Sequence, residues 1–382
     1  LYDNPNDGLQ KLACTLAGIL GKDLRTQLKR RAITEIPEKY VASYPLREIT
    51  RLLSGPLDSS GRLTDLVWWW AELGFDTKVS QQLKPQWRGV YGYEHSSLAT
   101  FQRAKELGLR VFYDLPAPET RFFQEIQARE FDAFPGLKNS YQSHVAKHET
   151  TRTERRHTEW AASDLVIVNS EFTKKSFLQA GLPEKPIAVV PYGAPPVITS
   201  LSTIPKKDAP LRLLWAGTFS IRKGAHYLLK AWKDSHLGRH AILRIHGAIT
   251  LPDDLLNPLP EGIEIAGSIP RDQLMKAYEE ADALIFPTLC DGFGMVVTEA
   301  FACGLPVITT SSAGAADLVR NQENGLLIEP GSADAISGAI NWCLENRSAL
   351  ATMREKALHS AANWQWSDYR AKLASEVKRH LS

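Results

Sequence analysis

The chain has 382 residues, of which 43% are hydrophobic, 23% charged and 9% aromatic. That length exceeds one ordinary core and suits two domains. A net charge of only +2 excludes a global nucleic-acid footprint, and no apolar run reaches the roughly 18 residues of a membrane-spanning helix.

Cys14, Cys290, Cys303 and Cys343 are widely spaced and form no Cys-x-x-Cys pair. Neither a zinc site nor a disulfide framework is indicated, and a cytoplasmic location is expected. The opening Leu1-Tyr2-Asp3-Asn4-Pro5 lacks the buried strand that normally starts an α/β domain. The expectation is therefore that a first strand is missing. A basic cluster, Lys22, Arg25, Lys29, Arg30 and Arg31, suits peripheral contact with an anionic membrane, against the alternative of ordinary solvated charge. Trp68-Trp69-Trp70 cannot all face one core, because consecutive helical residues diverge by about 100°; two are expected inside.

Short β-rich runs then alternate with helical patterns. Gly89 to Gly92 reads as a strand, and Ser96 or Ser97 caps a helix ending near Gly108. Leu109 to Tyr113 is the next strand, followed by a charged helix from about Val145 to Ala162. Leu165 to Val168 is a buried strand, Ser170 caps a helix through Ala180, and Ile187 to Val190 is again a strand. A proline-bearing polar stretch follows, from Pro191 through Thr199 to Asp208, and reads as an interdomain linker.

The alternation restarts with strands at 211–215, 241–245, 262–265, 283–286, 306–309 and 325–328. Helices lie between them, including Arg271 to Ala281 and Ala333 to Glu345. Continuous apolar strands separated by helices imply a parallel sheet covered on both faces. Two such series predict an α/β protein of two Rossmann-like domains, with a ligand at the C-terminal ends of the strands, in the cleft between them. The expected domains are 1–195 on the acceptor side, 196–363 on the donor side, and a terminal helix, 364–382, packing back on the first.

Two segments carry chemistry. In the first, a buried strand ends at Phe286-Pro287, a loop holds Asp291-Gly292-Phe293-Gly294, and a helix beginning near Met295 carries Glu299. Such a helix start presents unpaired N–H groups to an anion. Glu299 suits a vicinal diol such as a ribose. In the second, a strand runs into Gly217-Thr218, and the adjacent cations Arg222 and Lys223 precede a helix. Arg222 suits bidentate binding of a diphosphate, and Lys223 adds a point charge. Taken one at a time, Asp291 and Glu299 also read as a turn residue and a solvated helix-start acid, and Arg222-Lys223 as surface charge.

Together these segments resemble the retaining GT-B glycosyltransferases of family four (glycosyl transferases group 1). The hallmark E-G-F-G-x4-E-A-x-A-x-G-x-P-V stands here as D-G-F-G-M-V-V-T-E-A-F-A-C-G-L-P-V. Arg-Lys-Gly after G-T-F-S, the run A-G-S-I-P to A-D-A-L-I-F-P-T, and A-S-D-L-V-I-V-N-S-E-F with V-V-P-Y-G-A are also similar. The likeness is good over about residues 160 to 340.

The resemblance implies a retaining enzyme that moves a hexosyl group from a UDP- or GDP-linked sugar to a hydroxyl of a glycan or lipid-linked acceptor. Surface glycan or glycolipid assembly is the implied setting, with no metal and no other cofactor. Glu299 would bind the donor ribose. Phe293, Gly294, Met295, Val296 and Val297 would line the donor, chiefly through backbone. Gly217, Thr218, Arg222 and Lys223 would hold the diphosphate. Asp291 replaces the family's first Glu beside the donor sugar, with a reach shorter by one methylene. Asp114 stands after the strand ending at Tyr113, where some members carry His, and is a second catalytic candidate. The alternatives are a nucleotide-sugar epimerase or phosphorylase on the same fold, since fold does not fix function, and a non-catalytic sugar-nucleotide-binding module.

Overall fold

The computed structural model describes residues 36–42, 44, 46–47, 49–50, 58, 61–137, 140–199 and 209–381, without the side chains of 38 and 140–147. The basic cluster Lys22, Arg25, Lys29, Arg30 and Arg31, Cys14, and the second half of the proline-bearing linker (200–208) lie outside the described residues. The chain forms two compact units, one drawn from residues 1–111 and 139–163, the other from 112–138 and 164–382.

The first unit contains α1 (Arg62–Ser80), β1 (Gly89–Tyr93), α2 (Leu98–Glu106) and α4 (Ser140–Ala162). Its interior is unusually ionic. Asp76 of α1, 1% exposed, serves as a cap for α2. Its carboxylate accepts from the N–H groups of Ala99 (2.7 Å) and Thr100 (2.8 Å) and from the Thr100 hydroxyl (2.7 Å). Arg155 of α4 neutralises it. Glu159, one turn further on, accepts from the backbone N–H of His95 (3.2 Å) and Ser97 (3.1 Å). Trp69 alone of the three tryptophans turns inward, beneath Arg152 and Arg155. Trp68 and Trp70 are about half exposed. The expectation of two buried tryptophans is therefore corrected: the fully buried positions of α1 are Gly74 and Asp76, and Asp76 serves charge pairing rather than aromatic packing.

The second unit opens within β2 (Arg110–Leu115) and adds α3 (Thr120–Ala133), β3 (Leu165–Val168), α5 (Glu171–Gln179) and β4 (Ile187–Val189). β2, β3 and β4 run parallel, with Phe112 opposite Leu165 and Val166 opposite Ile187. Ser170 caps α5, accepting from the Thr173 N–H at 3.0 Å.

The larger sheet consists of β5 (Leu211–Ala216), β6 (Ala241–His246), β7 (Ile263–Ile265), β8 (Ala283–Phe286), β9 (Val307–Thr310) and β10 (Gly325–Ile328). They are parallel, in the order β10-β9-β8-β5-β6-β7. The four residues of β8 and of β9 are all buried, as continuous apolar strands require when helices cover both faces. Those helices include α6 (Ala225–Asp234), α7 (Arg271–Glu280), α8 (Met295–Ala302), α9 (Ala333–Glu345) and α10 (Arg347–Ala362). The last helix, α11 (Trp366–Leu381), lays Tyr369, Leu373, Val377 and Leu381 against Phe112, Leu165, Ile167 and Val190.

Strand order reverses between β5 and β8. Two loops leave the C-terminal ends of those neighbours and define a switch point, the place where open α/β sheets bind ligands.

Candidate functional site

Both chemistry-bearing segments meet at this switch point. The loop after β5 holds Gly217, exposed Thr218, and a short 3-10 turn, Ile221–Lys223. The loop after β8 runs from Pro287 to Gly294. Leu289 donates its N–H to the Arg222 carbonyl (2.9 Å), and the Thr288 hydroxyl donates to the same oxygen (3.2 Å). Gly224 makes this approach feasible. Its φ is 76°, and a Cβ there would lie 2.1 Å from the Pro287 carbonyl oxygen, so a side chain would force the loops apart.

The pairing sets up the charges. Arg222 donates to the Cys290 carbonyl (3.2 Å) and lies 3.7 Å from the Asp291 carboxylate. Lys223 stands over the Phe286 ring at 5.3 Å. Burial pulls its pKa below the usual lysine value, and Arg222 adds to the shift while Asp291 opposes it. Asp291 thus faces two cations, one of them held where its charge is costly. The excess positive charge favours an anion. Burial pushes the neighbouring Cys290 thiol up to about 12, which removes it as a nucleophile.

Gly294, at φ 83°, caps α8 without any side chain. The first-turn N–H groups of Met295 and Val296 consequently lack an intrahelical acceptor and carry the positive end of the helix dipole. Met295 is exposed and Val296 half-buried. Phe293 and Val297 instead bury their side chains in the core with Leu284, Phe286 and Phe301; Phe293 packs edge-on against Tyr192. Only their backbone is left to face a ligand.

Glu299 is the fifth residue of α8 and is oriented from α7. The Tyr278 hydroxyl donates to one carboxylate oxygen at 3.1 Å, and Arg271 lies 3.5 Å from the other. Burial raises the Tyr278 pKa well above its usual value, and the neighbouring carboxylate raises it further. Tyr278 is therefore a fixed donor. Sequence reasoning missed both partners; the signal was their place at the start and on the second turn of the predicted helix from Arg271.

Asp114 lies within β2, opposite Ile167 in the ladder, and is 5% exposed. The strand runs two residues past Tyr113, so Asp114 belongs to the sheet rather than to the loop beyond it. Near its C-terminal end the Asp291 loop is latched: the Gly292 carbonyl accepts from the hydroxyls of Ser170 (2.7 Å) and Thr173 (3.1 Å).

Residues 200–360 match the family described as Glycosyl transferases group 1. This region is similar to a group 1 glycosyltransferase domain. The chain is similar to an uncharacterized glycosyltransferase of Methanocaldococcus jannaschii, 26% identical over 166 residues, which are 41% of this chain and 43% of that one. It is also similar to O-antigen chain mannosyltransferase B of Escherichia coli, 28% identical over 163 residues, 41% and 42% of the two chains. Each match spans less than half of the relative's own length. Among solved structures, sucrose-phosphate synthase from Thermosynechococcus elongatus superposes with a TM-score of 0.61 at 16% identity, covering 91% of this chain and 82% of that one. Anabaena HepE in complex with UDP gives 0.58 at 20% identity, covering 79% and 81%. These likenesses and the two parallel sheets show a GT-B fold.

Proposed function

We propose that the chain transfers a hexosyl group from a nucleotide-diphosphate sugar to a hydroxyl acceptor, with anomeric configuration retained. The observation that carries this reading is the switch point: Arg222 and Lys223 face a single carboxylate beside the uncapped start of α8. A diphosphate supplies the missing negative charge, bound bidentately by Arg222 and by the backbone of Gly217, Thr218 and Gly294 to Val297. Glu299, preset by Tyr278, accepts hydrogen bonds from the donor ribose. Asp291 lies beside the donor sugar, and Asp114 is assigned to the acceptor side. A UDP-linked donor is favoured over a GDP-linked one because solved neighbours hold UDP and UDP-glucose.

No nucleophilic side chain is required on this reading; the departing phosphate, held by the cations, helps to deprotonate the acceptor. Among the described residues no group of three His, Cys, Asp or Glu is placed to hold a metal ion, and we assign the diphosphate's charge compensation to Arg222 and Lys223. No helix among them is long and apolar enough to cross a membrane. We assign residues 196–363 to the donor, 1–195 to a glycan or lipid-linked acceptor, and the chain to surface glycan or glycolipid assembly in the cytoplasm, at a membrane face.

Glu299 provides the test. Glu299→Ala is expected to weaken donor binding by roughly 2–4 kcal/mol and Glu299→Gln by less, because hydrogen bonds to a charged acceptor are the stronger ones. A 2′-deoxyribose donor should bind wild type poorly yet lose little more in the Ala variant, a cycle with the ligand as one corner. Calorimetry on both donors reads the outcome. Equal responses of the ribo and deoxy donors in both proteins would falsify the assignment.

A further inference from the structure

A cavity of about 220 Å³ lies within the first unit, lined by Asp65, Trp68, Trp69, Glu72, His95 and Arg152. The four α1 residues fall at spacings of three and four, so one helix face supplies both indoles and both carboxylates. Arg152 closes the cavity from α4 and His95 from the loop after β1, at the C-terminal end of a strand.

Several features set this cavity apart from the ion network beside it. The Asp76 and Glu159 carboxylates are consumed by backbone N–H groups, and their role is to hold helices together. His95, in contrast, is held in a left-handed conformation, φ 73°, which a non-glycine residue adopts at a cost. Both its backbone groups are gripped: its N–H donates to Glu159 (3.2 Å) and its carbonyl accepts from Arg155 (2.9 Å). The imidazole Nδ1 is buried with no hydrogen-bond partner. Burial, reinforced by the surrounding arginines, lowers the His95 pKa to about 3, so the ring is neutral and keeps an acceptor nitrogen. Trp68 is half exposed, and its indole N–H donates to Glu72, which fixes the plane of the ring.

The lining discriminates among ligands. An anion would meet Asp65 and Glu72, and Arg152 is already paired with Asp65 at 2.8 Å. A wholly apolar ligand would leave buried polar groups unsatisfied. A flat aromatic face beside fixed carboxylates suits a molecule with C–H groups on one face and hydroxyls around its edge. At this volume, below the ~300–1,000 Å³ of pockets for drug-sized ligands, one ring fits. We propose that this cavity binds one pyranose ring of an uncharged sugar, stacked on Trp68 and hydrogen-bonded to Asp65 and Glu72. The proposal rests on the lining alone and not on the reading of Arg222 and Glu299.

The experiment titrates the full chain with the methyl glycosides of glucose, galactose and mannose, with glycerol as an open-chain control. Saturation-transfer NMR and tryptophan fluorescence read binding, and UDP and GDP are titrated in parallel. At least one glycoside is expected to bind with a Kd on the order of 1–10 mM, with saturation concentrated on one ring face, and glycerol is not. Trp68→Ala should weaken that binding about tenfold, and the near-isosteric Glu72→Gln about threefold or more. Melting temperature and nucleotide affinity should hold in both variants. Absence of glycoside binding in the wild type, or unchanged binding in both variants, overturns the proposal. Glycoside binding without nucleotide binding supports this cavity and counts against the donor reading instead.

Discussion

Asp76 with Arg155 in the first unit and Asp291 with Arg222 in the second are both carboxylate–guanidinium pairs, yet they do opposite work. The first is dry and saturated: the Asp76 carboxylate spends its lone pairs on two backbone N–H groups, a hydroxyl and Arg155. The second is loose and open, 3.7 Å apart, with Arg222 43% exposed. A saturated pair can only hold structure. An open pair with a surplus cation retains capacity for a ligand, so hydrogen-bond saturation separates structural from functional charge here better than residue type does.

The widest separation between the pairs should appear in stability. Asp76→Ala leaves Arg155 buried without its partner and α2 without its cap, and is expected to cost about 3–5 kcal/mol. Asp291→Ala should cost less than about 1 kcal/mol, as exposed pairs do. Urea unfolding followed by tryptophan fluorescence compares them, and equal losses would erase the distinction.

Arg222→Ala sharpens the comparison from the ligand side. Nucleoside diphosphate binding should weaken by roughly 1.5–3 kcal/mol, the value of a charge-assisted hydrogen bond. Binding of the free nucleoside should not change. Equal weakening of both ligands would make Arg222 a support for the fold.

A further effect is one of pH. Burial raises the Glu94 pKa to about 7, with Arg156 opposing. Its folded-state pKa thus lies above the unfolded value of 4.5, and its contribution to stability, complete below 4.5, is lost as pH rises to about 7. His95 has the reverse sense: its contribution is present above pH 6.5 and lost as pH falls toward 3. Glu94→Gln does not titrate at that position. Melts of both proteins should therefore diverge between pH 4.5 and 7, the variant gaining on the order of 3 kcal/mol relative to wild type by pH 7. Parallel curves would mean that Glu94 is ionised throughout.

These contrasts track what the sequence can reveal. The Asp291 to Glu299 segment is contiguous, so its glycines, helix start and acids are readable together, and the strands at 165–168, 283–286 and 325–328 appear where apolar runs place them. The Asp76 network is assembled from positions 76, 99, 100, 155 and 159, and no local pattern joins them. α3 escaped because its cap is Glu119, which accepts from the Phe122 N–H at 3.1 Å, and Glu is outside the usual capping residues. Phe293 and Val297 were legible as members of the motif but not as core side chains, since a short and largely apolar segment does not show which of its residues face inward.

The Ser170 hydroxyl does two things with one atom: it accepts from the Thr173 N–H to start α5 and donates to the Gly292 carbonyl. Aspartate serves well as a helix cap in general, but ionised at position 170 it would set two lone pairs against that carbonyl. The alphabet permitted by the helix is therefore wider than the alphabet permitted by the loop. Among the usual capping residues, only serine and threonine put acceptor and donor on the same oxygen. Position 170 is a place where a helix could accept a substitution that the Asp291 loop, 122 residues away in the chain, would refuse.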